Sequence, residues 1–191
     1  MIKKIKPVLV FFCLLPILYL IYAAFTDNLG ANPIEELLRQ TGFWTLIFLV
    51  ATLSISPIRK FSGWNKIIQF RRMIGLFTFF YAFLHFGVYL GLDRFFEWPE
   101  IVEDISKRPF ITIGFSAFIL LIPLAITSTK GWIRRLGKKW KKLHYLVYLV
   151  AVLGVVHFWW LVKKDITEPM IFAIIFTALF GIRTIKSQKR K

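Results

Sequence analysis

The chain contains three histidines, His85, His144 and His157, and each lies within or at the edge of an apolar run. An imidazole in hydrocarbon is costly unless something holds it, so an ionisable residue inside a membrane span marks a functional site by default. For histidines that face one another across a bilayer, the natural ligand is haem iron. Axial ligands, burial and neighbouring hydrogen bonds are then the protein's means of tuning it. The stretch that frames this chemistry most sharply is KKWKKLHYLVYLVAVLGVVHFWWLVK, a basic collar leading into an apolar segment that carries His144 and His157.

Residues so placed need helices to position them. With 57% hydrophobic residues, 18% aromatics and a mean hydropathy of +0.63, the chain reads as a polytopic membrane protein. It is expected to be all-α, a six-helix transmembrane bundle forming a single domain over residues 1–191, since each span needs about 20 apolar residues. The expected spans are residues 7–25, 43–57, 73–92, 109–126, 144–162 and 169–182. The first begins like a signal peptide, but its apolar run is too long and lacks a small-residue cleavage site, so it is expected to be retained. Pro109 suits the first turn of the fourth span, and the mixed segment 93–108 before it suits a surface helix. The seven tryptophans are expected at span ends as interfacial anchors. No repeat, phosphate-binding loop or dinucleotide fingerprint is apparent.

The net charge of +16 is arranged by topology. Basic residues crowd the segments before the first span, between the second and third, between the fourth and fifth, and after the sixth. All ten acidic residues fall in the alternate loops. By the positive-inside rule both termini are cytoplasmic. The basic excess is therefore a topology signal rather than a nucleic-acid surface. Cys13 stands alone in the first apolar run, which excludes an intrachain disulfide.

This topology sends the third and fifth spans in the same direction, so the histidine depths compare directly. His85 lies about 13 residues and His157 about 14 residues from the basic side, roughly 20 Å in both cases. They are expected to pair in the outer half of the membrane. Arg71 and His85 share a helix face, because 14 residues fall about 40° short of four full turns. His144 and His157 stand about 140° apart on an ideal helix, so either that helix is distorted, as around Gly154, or the two address different partners. A second, inner haem with His144 as a ligand and Arg71 beside it is a further candidate. The alternative is that the histidines hydrogen-bond between helices without a cofactor.

Several segments are more specific than this spacing. They are Arg71-Arg72-Met73-Ile74-Gly75-Leu76 ahead of His85, Arg108-Pro109-Phe110-Ile111-Thr112-Ile113-Gly114, and Pro123-Leu124-Ala125-Ile126-Thr127-Ser128-Thr129. Leu136-Gly137-Lys138-Lys139-Trp140 with Leu143-His144, then His157-Phe158 and Leu161-Val162-Lys163, complete the pattern. Along its whole length the chain resembles the MsrQ (YedZ) family of haem-binding membrane subunits of bacterial methionine sulfoxide reductase systems, within the ferric-reductase-like transmembrane superfamily. The superfamily's pattern is two histidines on the third span and two on the fifth, holding stacked haems. Here Arg71 stands where the inner histidine of the third span would be, while His85 and His157 keep the outer pair.

The resemblance implies an electron-transfer subunit of the bacterial inner membrane rather than a complete catalyst. Electrons would pass from the quinone pool through haem b to a periplasmic molybdopterin reductase of the MsrP kind, supporting repair of oxidised proteins. The family is also associated with FMN, for which no motif offers a site. The acidic loop that contains Glu97, Glu100 and Glu103 is expected to steer a basic patch on the partner. Two other readings fit the residues: a stand-alone ferric or cupric reductase, and a non-redox proton channel or assembly factor.

Overall fold

A computed structural model describes residues 2–162 and 165–188. The Lys163 end of one resemblance segment and the final basic residues Lys189, Arg190 and Lys191 lie outside the described residues. The rest is helical: α1 (Ile2–Phe25), α2 (Pro33–Ser62), α3 (Arg71–Val88), α4 (Trp98–Lys107), α5 (Pro109–Ile126), α6 (Lys130–Leu136), α7 (Lys138–His144), α8 (Leu146–Leu161) and α9 (Thr167–Gln188). A 3₁₀ segment, Asn65–Phe70, leads into α3, and a π-helical turn, Tyr89–Asp93, extends it. Among the described residues five stretches are long and apolar enough to cross a membrane: Lys4–Phe25, Pro33–Ser62, Asn65–Asp93, Pro109–Ile126 and Lys138–Leu161. Helix α9 covers the expected sixth span.

The second span begins earlier than the apolar run predicts. Asn32 caps α2 by accepting from the Glu35 amide, Pro33 fills the first turn, and Glu35 and Glu36 oppose the positive end of the helix dipole. Gly63, at φ 68°, ends the helix in the left-handed conformation that glycine adopts without penalty. The 30 residues between span about 45 Å. Trp44 consequently lies well inside α2, against Phe43 and Phe48, and not at a span end.

Two antiparallel hairpins organise the bundle, α2 with α3 and α5 with α8. Between them lies a core of Leu46, Leu49 and Leu53 from α2, Ala82 from α3, Leu121 from α5 and Ala151 from α8, closed on one side by Phe172 and Phe176 of α9. Phe79 and Phe86 of α3 stack on Phe118 of α5 and join the hairpins. As expected, α4 is a surface helix. Ile101 is buried beneath it, while Trp98 and Val102 are exposed.

At the junction of α4 and α5, Asp104 is only 5% exposed and is gripped by Arg94 at 2.7 Å, Arg108 at 2.9 Å and the Tyr89 hydroxyl at 3.1 Å. This carboxylate ties the π-helical turn to the start of α5 and leaves little charge for an outside partner.

Helix α1 is attached through an interrupted backbone ladder. Pro16 lacks an N–H, and its ring crowds the carbonyl one turn back, which opens the helix locally. The Tyr81 hydroxyl enters the opening, accepting from the Ile17 amide at 3.2 Å and donating to the Cys13 carbonyl at 2.8 Å. Its ring, fully buried, stacks on Phe48 at 5.0 Å. In hydrocarbon neither backbone group has water to turn to. Replacing Tyr81 by phenylalanine keeps the packing and orphans both groups. The expected outcome is a loss of about 1–3 kcal/mol of stability, read as a lower unfolding midpoint in detergent, with the absorption spectrum unchanged.

Candidate functional site

His85 on α3 and His157 on α8 meet with ring centroids 6.1 Å apart and planes at 76°. Each ring is pinned by the partner helix of its own hairpin. His85 Nδ1 lies 2.9 Å from the Leu38 carbonyl of α2, and His157 Nδ1 lies 2.6 Å from the Phe110 carbonyl of α5. A carbonyl oxygen can only accept, so both Nδ1 atoms carry hydrogen and both Nε2 atoms present a lone pair. Thr41 adds a contact to His85 Nδ1 at 3.4 Å, and its own hydroxyl hydrogen is directed to the Leu37 carbonyl at 2.6 Å.

The carbonyls that receive the imidazoles lie near the starts of α2 and α5, Leu38 in the second turn and Phe110 in the first. Inside a helix each already accepts from the amide one turn ahead, and its second lone pair remains for the ring. A ring approaching from that side lies over the residue one turn ahead, whose Cβ would point back toward it. That residue is glycine in both hairpins. A Cβ on Gly42 would meet His85 at 3.2 Å, and one on Gly114 would meet His157 at 2.7 Å.

The two hairpins repeat one another. In each, 47 residues separate the histidine from the carbonyl it bonds, with the glycine one turn beyond that carbonyl. The sequence is expected to hold no repeat, and its residues do not resemble one another strongly between the halves. What recurs is a geometric device, a ring seated on a glycine and tied to the backbone.

The same hairpins carry a second polar level toward the basic loops. On the first, Arg71 of α3 reaches Ser56 of α2 at 3.4 Å; on the second, His144 reaches Thr127, just past α5, at 3.0 Å. Each hairpin thus carries one polar residue at an inner level, held by a hydroxyl of the facing segment. Its chemistry differs. The Thr127 hydroxyl gives its hydrogen to the Pro123 carbonyl at 2.6 Å, so His144 Nε2 must donate to it. His144 therefore spends the nitrogen that His85 and His157 keep free. Its ring also stacks on Trp140 at 4.0 Å, and the Trp140 Nε1 donates to the Thr127 carbonyl.

The distortion between His144 and His157 lies at Tyr145, not at Gly154. Helix α7 ends at His144 and α8 begins at Leu146, with tightened backbone bonds from Tyr145 to Lys142 and from Tyr148 to Tyr145. An ideal-helix angle between the two histidines does not apply across this break. Gly154 instead admits Leu46, which a Cβ would meet at 3.2 Å. Arg71 is half-buried, unlike exposed Arg72 beside it.

The outer pair fits haem on the chemistry of its donors. Two imidazoles offer two nitrogens, so a metal held by them must bring its other ligands with it, as haem iron does. The two rings lie together, with centroids 6.1 Å apart, so one bound group could reach both. Carbonyls on both Nδ1–H groups are the usual outer support for ligating histidines.

The family model for the ferric reductase like transmembrane component matches residues 9–155. A protein-methionine-sulfoxide reductase heme-binding subunit MsrQ from Herminiimonas arsenicoxydans is 52% identical over 190 residues, covering 98% of this chain and 87% of the relative. The protein of the same name from Xanthomonas euvesicatoria pv. vesicatoria is 52% identical over 161 residues, covering 84% of this chain and 74% of the relative. No solved structure matches. Its sequence and its helical membrane-spanning architecture place this chain in the ferric-reductase-like transmembrane family, among the MsrQ heme-binding subunits.

Proposed function

We propose that this protein is the electron-carrying membrane subunit of a methionine sulfoxide reductase system, with one haem b held between His85 and His157. The observation that carries this reading is the pair of Nδ1 bonds to Leu38 and Phe110, which turns both Nε2 lone pairs to the same task. Haem, when bound, supplies one-electron transfer. The chain's own part is to fix the two half-buried rings between the hairpins and keep them near the acidic end of the bundle. His144 and Arg71 act at the inner level as holding and charge-setting residues, not as a second ligand pair.

Under this reading both termini face the cytoplasm of a bacterial inner membrane, electrons enter from the quinone pool, and an MsrP-like periplasmic molybdopterin enzyme receives them. FMN has no site of its own in the reading. A stand-alone ferric or cupric reductase would use the same histidines, and dependence on the partner for electron discharge separates the two.

Purified protein should show a low-spin b-type spectrum after dithionite reduction. His85→Ala and His157→Ala should each abolish it, and His144→Ala should leave most of it. A spectrum that survives either of the first two substitutions would remove the pair from its role.

The glycine seats give a graded test. Gly114→Ala intrudes at 2.7 Å and Gly42→Ala at 3.2 Å. The first should lower haem retention or shift the reduction midpoint clearly, while the second should shift it less, because the His85 ring can yield by a few tenths of an ångström.

Partner steering should depend on few charges. Glu103 is paired with Lys107 at 2.7 Å and Glu100 with Arg94 at 3.6 Å, while Asp104 is enclosed. Rates of electron discharge to the partner should fall with added salt, and Glu97→Gln with Glu100→Gln should remove part of that dependence. Rates indifferent to both salt and these substitutions would mean that the acidic face plays no part in docking.

A further inference from the structure

At the basic end of the bundle Arg183 of α9 repairs a second proline defect. Pro57 has no N–H, so the Leu53 carbonyl of α2 lacks its backbone donor, and Arg183 Nη2 supplies one at 2.6 Å. Its Nη1 donates to the Tyr148 hydroxyl, and the guanidinium lies 5.2 Å from the Tyr148 ring centre. Its Nε is buried and has no hydrogen-bond partner among the described residues. Capping Leu53 needs a donor but not a charge. Nor does it explain why half-buried Arg71, with one long bond to Ser56, lies within electrostatic reach of Arg183 and Arg59.

Like charges crowded where water is scarce repel strongly, and a buried charge is tolerated only when paired. Among the described residues no carboxylate pairs with Arg71 or Arg183. Every aspartate and glutamate lies in or beside the loops at the opposite end. Among the described residues nothing supplies the missing negative charge.

We propose that Arg71 and Arg183 form a binding site for a phosphate group where α2, α3, α8 and α9 meet. Guanidinium forks suit an oxyanion with several acceptor oxygens, and the unused Arg183 Nε–H is one such donor. A phosphate can arrive on an anionic phospholipid, whose headgroup lies at the depth of a span's basic end, or on a soluble molecule. The site does not rest on the haem assignment.

The test uses the full chain in detergent, by native mass spectrometry with phosphatidylglycerol and phosphatidylcholine in competition. It is joined by thermal unfolding in phosphatidylcholine nanodiscs with inorganic phosphate or chloride at equal ionic strength. Arg71→Gln, Arg183→Gln and Arg183→Lys are compared with Arg72→Gln, which removes the same charge from an exposed neighbour. Retention of phosphatidylglycerol over phosphatidylcholine, weakened about tenfold by Arg71→Gln and Arg183→Gln but not by Arg72→Gln, is expected for a lipid ligand. Stabilisation by phosphate over chloride, lost in the same two variants, identifies a soluble one. Should Arg183→Gln fail to fold, Arg71→Gln and Arg183→Lys decide, since lysine keeps the charge and a donor for Leu53 but lacks the fork. Equal retention of the two lipids with no phosphate effect overturns the site, and so does binding that Arg71→Gln leaves unchanged.

Discussion

The rest of the structure depends on two backbone carbonyls, Leu38 and Phe110, accepting a hydrogen bond from an imidazole while remaining part of a helix. The constraint reaches outward in both directions. Both carbonyls lie near the acidic-end starts of their helices, which Asn32-Pro33 sets for α2 and Pro109 for α5. A Cβ on the residue one turn further on would crowd the ring, severely at Gly114 and by a few tenths of an ångström at Gly42. The hairpin partner must then return at a fixed distance, which the Leu46, Ala82, Leu121 and Ala151 core secures. The result is a pair of rings set by backbone geometry rather than by flexible side chains, as a site that must not reorganise during electron transfer requires.

Using the same hairpin twice explains why the two levels are alike in position and unlike in chemistry. Each hairpin offers a seat near its acidic end and a hydroxyl near its basic end. At the outer seats both residues are histidine with Nε2 free. At the inner position one is Arg71, which has no lone pair to offer a metal, and the other is His144, whose Nε2 serves Thr127. Arg71 cannot ligate a metal, so the inner level lacks the second imidazole that the outer level has.

Depth was the part of this site most readable in the sequence. Counting residues from the basic side aligns His85 with His157, and the third span is one continuous α-helix over the stretch where Arg71 and His85 were compared. The supporting shell was less readable because backbone carbonyls leave no residue signature: Leu38 and Phe110 share nothing as side chains. The equal spacing of Gly42 and Gly114 from their histidines was the signal that would have exposed the repeat. Hydropathy also hid the early start of α2, since Glu35, Glu36 and Arg39 mask a helix that capping chemistry reveals. The break at Tyr145 has no proline or glycine to announce it, and Arg183 looks from the sequence like one more topogenic charge.

The inner charges bear on the outer site. With iron on the two imidazoles, an added electron would lie about 20 Å from the Arg71 level by helix rise. At an effective dielectric near 20, each uncompensated positive charge at that distance favours the reduced state by about 0.8 kcal/mol. Arg71, where uncompensated, would then bias such a centre, whose reduction potential follows the net charge around it. An oxyanion bound between Arg71 and Arg183 would cancel most of that bias. The basic end would thus do more than orient the chain in its membrane, since its occupancy would set how readily the histidine level accepts and releases an electron.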